Sequence, residues 1–260
     1  MLLLLAWAAP LCWMLVASIT PESRLFAAPH IVPGSLGLDH YRALFGERQF
    51  WLPIRNSLIV AGATTIFAVL LGSPCAYAMA RMHFRAKSWL LATVMAVSMF
   101  PQISVVSPLF LLLRHIGLID TFPGLVLPYL TFAMPLAIWL LTAFLRELPR
   151  EIEDAARLDG AGPVRTVVEV ALPLAAPALA TTAILTFLYA WNEFLFALSF
   201  TLGPERQTVP VALALFRGRY QVPWGQILAG SVVASLPVAL VVLAFQRRIV
   251  KGLTAGAVKR

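Results

Sequence analysis

Six carboxylates (Glu147, Glu151, Glu153, Asp154, Asp159, Glu169) and four arginines (Arg146, Arg150, Arg157, Arg165) crowd the stretch Arg146–Pro177, in a part of the chain that is otherwise apolar. Mixed charges at this density require a structured loop in water, with a merely solvated helical loop as the plainer reading, because in hydrocarbon each charge would cost ~2.5–3.5 kcal/mol or more. One further carboxylate, Glu193, stands alone in an apolar run with Asn192 beside it. An ionisable group there must find water or a partner, which makes it a candidate for a cavity, a gate or a carried proton. The alternative is that it lies near the outer end of its helix and is simply wetted.

Other chemistries lack their residues. The histidines His30, His40, His83 and His115 form no i, i+4 ligand pair and no HExxH, so no metal site is expected. There is no GxSxG elbow and no paired-acid constellation, so no catalytic residue is assigned and the chain is not expected to be an enzyme. Gly225–Ser231 has the outline of a phosphate loop but no lysine and lies in an apolar run, so this chain is expected to bind no cofactor of its own. Cys12 and Cys75 lie in apolar runs and read as small hydrophobic fillers.

The elements that must position these residues are membrane spans. The 260 residues are 60% hydrophobic and 12% charged, with a mean hydropathy of +0.84, too apolar for a soluble domain and too long for one span. A span takes ~20 residues. The expected fold is an all-α polytopic membrane protein of six transmembrane helices at about 2–19, 55–82, 89–113, 124–145, 178–200 and 225–246, forming one domain. The third is expected to bend at Pro101 and Pro108. A cleaved leader is the rival reading of the first run, disfavoured by its length and its lack of a basic start. The absence of a polar tail before it fits a start placed late or a short-tailed homologue. Under this topology twelve Lys/Arg fall inside (Arg81–Lys87, Arg146–Arg165, Arg247–Arg260) and eight outside, among them Arg217 and Arg219 near Tyr220. That places both termini in the cytoplasm. The net charge of +8 is spread over span ends, which disfavours nucleic acid as a partner.

Between the fourth and fifth expected spans, residues 146–177 read as a cytoplasmic loop whose first half is a short helix. Carboxylates crowd its first turns, Ala155 and Ala156 keep one face low, and Gly160 is placed for a left-handed stop. Pro163 can open a second helix. Asp154-Ala155-Ala156, three residues, Gly160, nine residues and Val170-Ala171-Leu172-Pro173 resemble the EAA loop of bacterial ABC-importer permeases, EAA-x3-G-x9-I-x-LP. Asp154 departs from the glutamate and Val170 from the isoleucine. The run Trp191-Asn192-Glu193-Phe194 and the tail RRIVKGLTAGAVKR are similar to the carbohydrate-uptake branch, the maltose-type second membrane subunit.

The resemblance implies a type I importer permease in the bacterial inner membrane, with a coupling helix that docks on a separate ATPase. Glu153 and Asp154 would supply rim charges or caps, Ala155 and Ala156 the close fit on a low face shared with Ile152 and Asp159, and Gly160 the turn, with Leu158 also in the coupling set. It implies a second permease, two P-loop ATPase subunits carrying ATP and Mg, and an extracytoplasmic sugar-binding protein as partners. The basic tail 247–260 would either touch the ATPase pair or act only as a topology anchor. Gln102, Tyr189, Trp191, Asn192 and Glu193 would offer polar groups and aromatic faces along a substrate pathway, with interface anchoring as the alternative for the aromatics. A disaccharide such as trehalose or maltose, an oligosaccharide and a glycerol-phosphate-like solute all suit this branch. Seventeen arginines against three lysines suggest a high-GC bacterium and tilt the choice to trehalose. The competing class is a proton- or ion-coupled secondary transporter using Glu193, disfavoured by that single carboxylate and by the lack of inverted repeats.

Overall fold

The computed structural model describes residues 2–25, 37–216 and 222–255, and side chains at 9–25, 37–216 and 222–245. Expectations resting on His30, on Arg217, Arg219 and Tyr220, and on the tail side chains Arg247–Arg260 lie outside the described residues. The described elements are all helical: α1 (Leu2–Ser18), α2 (Glu22–Leu25), α3 (Asp39–Gly46), α4 (Trp51–Arg81), α5 (Lys87–Met99), α6 (Gln102–His115), α7 (Phe122–Glu147), α8 (Arg150–Leu158), α9 (Pro163–Arg165), a π-helical stretch Thr166–Ala171, α10 (Leu172–Leu174), α11 (Ala176–Asn192), α12 (Leu195–Phe200), α13 (Val209–Ala214) and α14 (Trp224–Ala255).

Three described helices are long and apolar enough to cross a membrane: Trp51–Arg81, Phe122–Glu147 and Trp224–Phe245. Two helix pairs qualify only together, Lys87–Met99 with Gln102–His115, bent by 94°, and Pro163–Leu174 with Ala176–Asn192, bent by 76°. The third expected span is therefore two helices. Phe100 is extended (ψ 133°), and Pro101 brings no N–H to carry the ladder across the corner. The second expected span starts at Trp51 rather than Arg55. Arg55, in its second turn, is satisfied locally, its guanidinium 5.5 Å from the Trp51 ring centroid. Both cysteines are exposed rather than packed as fillers, as suits side chains that face lipid or a neighbouring chain.

The chain divides into two compact units, Met1–Ser57 with Gly203–Leu240, and Leu58–Leu202 with Val241–Arg260. In the first, Leu44, Phe50, Val209, Val211 and Ala229 are fully buried, and Phe50 meets Phe216 edge to face at 5.6 Å. Asn56, also fully buried, donates to the carbonyls of Glu205 (2.8 Å) and Gln207 (3.0 Å). Ser57 Oγ accepts from the N–H of Val209 at 2.8 Å. These bonds join the start of α4 to the segment entering α13 without exposing backbone to an apolar surrounding. His40 Nε2 lies 2.8 Å from the Thr20 carbonyl, and its ring covers Gly225 so closely that an added Cβ would sit 2.1 Å from the ring. Gly225→Val is thus expected to destabilise this unit by about 1–3 kcal/mol, checked as a lower thermal unfolding midpoint in detergent with Gly62→Ala, which meets open space, as the unaffected control.

In the second unit α11 packs along α7. Thr121 Oγ1 caps α7 by accepting from the Gly124 N–H at 3.2 Å. Phe196 stacks on Phe200 (5.7 Å) and meets Phe132 at 5.5 Å, so α12 carries an aromatic plug against α7. Near the other end of α7 the core narrows to small residues. Ala76, Ala80, Ala171, Ala175 and Ala178 cluster with Tyr77, Leu141 and Leu145. Alanines at such a crossing let backbones approach closely, which is how helices gain contact where lipid offers no hydrophobic driving force.

Candidate functional site

α8 forms where propensity and electrostatics agree. Leu148 and Pro149 are extended (ψ 135° and 133°), Glu151 and Glu153 occupy the first turn, and Arg157 the last, each on the side the helix dipole favours. The helix ends at Gly160, whose φ is +87°. The Gly160 N–H donates to the Arg157 carbonyl (3.0 Å) and the Ala161 N–H to the Ala156 carbonyl (2.9 Å). This paired closure needs a left-handed residue, which glycine adopts without cost.

The two neighbouring acids part company here. Asp154 is exposed and pairs with Arg157 at 3.3 Å, a surface contact of small energetic value. Glu153 is not a rim charge. It is buried, and its carboxylate accepts from the Tyr77 hydroxyl (2.8 Å) and from Arg81 Nε (2.7 Å). Arg81 in turn donates through Nη2 to the Leu148 carbonyl at 2.8 Å. Sequence reasoning missed Tyr77 and Arg81. Arg81 read as a topology charge, and nothing in its spacing from Glu153 signals a pair.

With Glu153 turned inward, the outward surface of α8 carries Ile152, Ala155, Asp159 and Gly160 exposed and Ala156 half-buried. Leu158 is 90% exposed, and Val164 beyond the turn is 77% exposed. A low strip of alanine and glycine ending in a bare leucine can receive another protein's surface closely, with charges at the edges to orient it. Among the described residues no cluster of histidine, cysteine and carboxylate side chains could hold a metal ion.

The pathway residues separate into two groups. Gln102, the first residue of α6 after the 94° corner, donates to the Tyr189 hydroxyl at 2.8 Å. Asn192 is exposed, its amide donating to the Leu188 carbonyl at 2.7 Å. Trp191 is buried and stacked on Phe187 (5.7 Å). Glu193 is buried in an extended link (ψ 130°) that breaks the fifth expected span into α11 and α12. Its two oxygens accept from the N–H groups of Phe196 (2.8 Å) and Ala197 (3.1 Å). The carboxylate thus caps α12, satisfying donors that a span running unbroken through 178–200 would not leave open.

Several helices apolar enough to cross a membrane, with a charged helical segment between two of them, are the architecture of a multi-pass membrane subunit. Residues 68–255 match the family described as binding-protein-dependent transport system inner membrane component, and the chain belongs to that family. It is an ABC-importer permease subunit and not an enzyme. It is 46% identical over 252 residues (96% of this chain, 92% of the relative) to the trehalose transport system permease protein SugB of Mycobacterium tuberculosis. It is 38% identical over 253 residues (96% and 91%) to the trehalose/maltose transport system permease protein MalG of Thermococcus litoralis. In fold it is similar to a chain of a bacterial ABC transporter involved in the import of the acidic polysaccharide alginate, with a TM-score of 0.80 at 21% identity, covering 95% of this chain and 92% of that one.

Proposed function

We propose that this chain is one of two permease subunits of an ATP-driven importer for a di- or oligosaccharide of the trehalose or maltose kind. It works in the bacterial inner membrane with six spans and both termini in the cytoplasm. The observation that carries the reading is α8: a short amphipathic helix, fixed on one side by Glu153 and bare on the other along Ile152, Ala155 and Leu158, with Ala156 half-buried. Its partners are a second permease, two copies of a P-loop ATPase that bind ATP and Mg, and an extracytoplasmic binding protein. The ATPase pair closes only with nucleotide, so a helix seated on it feels two states of different free energy and biases the spans between inward- and outward-facing forms. The chain itself needs no cofactor.

Gln102, Tyr189 and Asn192 are the groups through which this subunit meets sugar hydroxyls, since an amide and a phenol beside a helix corner present donors and acceptors without a charge. Trp191 and Glu193 hold the shape of that wall from behind. A proton-coupled carrier is not favoured, because the chain belongs to the binding-protein-dependent transport family and Glu193 has a structural role, its two oxygens accepting from backbone N–H groups.

Purification in mild detergent from cells expressing the whole transport system is expected to recover the ATPase with this chain. In proteoliposomes, binding protein loaded with trehalose is expected to stimulate hydrolysis. A chain that moves sugar alone, driven by a proton gradient, would reject this reading.

A further inference from the structure

The Arg81 guanidinium touches three separate pieces of the second unit. It belongs to the last turn of α4, donates to Glu153 on α8, and donates to the carbonyl of Leu148 just past the end of α7. Both charged side chains are almost closed to solvent, Arg81 at 7% and Glu153 at 6% exposed, and Tyr77, one turn earlier on α4, holds the second carboxylate oxygen. Beneath lies the alanine-rich cluster of Ala76, Ala80, Ala171 and Ala175, so α8 has no thick hydrophobic root of its own. It also packs against the π-helical stretch Thr166–Ala171, and this polar knot is what bonds it directionally to α4 and to the end of α7.

We propose that Arg81 is the positioning residue that makes α8 and the cytoplasmic ends of α4 and α7 one rigid lever, so that displacement of α8 becomes displacement of the spans. This deepens the permease reading and rests on it. A buried pair is a poor device for stability alone, since apolar residues of similar volume often serve as well or better. What an apolar filling lacks is direction. Two bonds from one planar guanidinium fix the angle of α8 as well as its distance, and a lever that slips in angle loses its stroke.

The test replaces the knot by apolar residues of similar size, Tyr77→Phe, Arg81→Met and Glu153→Leu together, which leaves no buried charge unpaired. None of these positions lies on the outward surface of α8. The variant is assembled with its second permease, ATPase and binding protein in proteoliposomes, using trehalose and maltose as probes. Thermal unfolding and ATPase retention are followed alongside sugar taken up per ATP hydrolysed. The expected result is an intact complex that still hydrolyses ATP, with uptake per ATP lowered at least about fivefold, the lower end of ordinary coupling strengths. Wild-type uptake per ATP in the variant overturns the proposal. So does loss of the ATPase from the complex in step with uptake, which would make the knot a support for docking only. A wild-type chain that retains no ATPase would instead bring down the permease reading, and the lever with it, so the two failures read differently.

Discussion

Tryptophan in place of Ala156 is expected to leave the chain in the membrane and ATP hydrolysis running while sugar uptake falls about 5- to 150-fold, the span of a lost coupling free energy of ~1–3 kcal/mol. Ala156 is half-buried beside exposed Ala155, and its carbonyl accepts the Ala161 N–H that closes the end of α8. An indole there is far bulkier than the methyl it replaces, and beside exposed Ala155 it enlarges the surface that a docked ATPase would meet. The helix itself tolerates the change, since tryptophan costs only a fraction of a kcal/mol in propensity, ~0.7 at most. Gly160→Pro reaches the same end by another route. Proline holds φ near −65° where the chain needs +87°, and it removes the N–H that Arg157 accepts. Measuring uptake and hydrolysis together in proteoliposomes checks both variants. Undiminished uptake with the tryptophan would mean α8 docks nowhere.

Glu193→Ala is expected to lower folded yield and thermal stability. It strands the buried N–H groups of Phe196 and Ala197 at about 1–3 kcal/mol for each donor left without an acceptor. Glu193→Asp, one methylene shorter, still offers two oxygens and should recover part of the loss. Sugar uptake by whatever Glu193→Gln folds should show no new dependence on the proton gradient. A stable, fully expressed Glu193→Ala chain with altered proton dependence would assign the carboxylate to transport instead of capping.

The difference between the two roles open to a carboxylate here is what a sequence cannot display. Hydropathy runs on from Ala178 to Phe200 with one polar interruption, and a capping acid looks the same as a proton carrier until the chain breaks and its oxygens find two N–H groups. The stop at Gly160 was legible because only a few residue types tolerate a left-handed backbone and the charges before it define a helix that cannot be a span. The corner at Pro101 was legible as a bend. Its 94° angle was not, because Pro101 biases Phe100 toward an extended backbone without dictating how far α6 swings from it. Glu153 and Asp154 are chemically alike neighbours, and only the approach of α4 decides that one is buried against Arg81 while the other stays in water. Pairings such as Asn56 with the carbonyls of Glu205 and Gln207 span some 150 positions and leave no local trace.

The bare side chains of Leu158 and Val164, with Ile152 and Val168 also exposed nearby, set a condition on the life of the chain in the cell. In the proposed topology they would present hydrocarbon to the cytoplasm until a partner covered them, the kind of surface that chaperones and proteases are built to find. Copies made in excess of the proposed ATPase would then be the ones open to removal. The helix that would pass the power stroke would also report whether there is anything to receive it, and turnover of the surplus would bring the subunit ratio back.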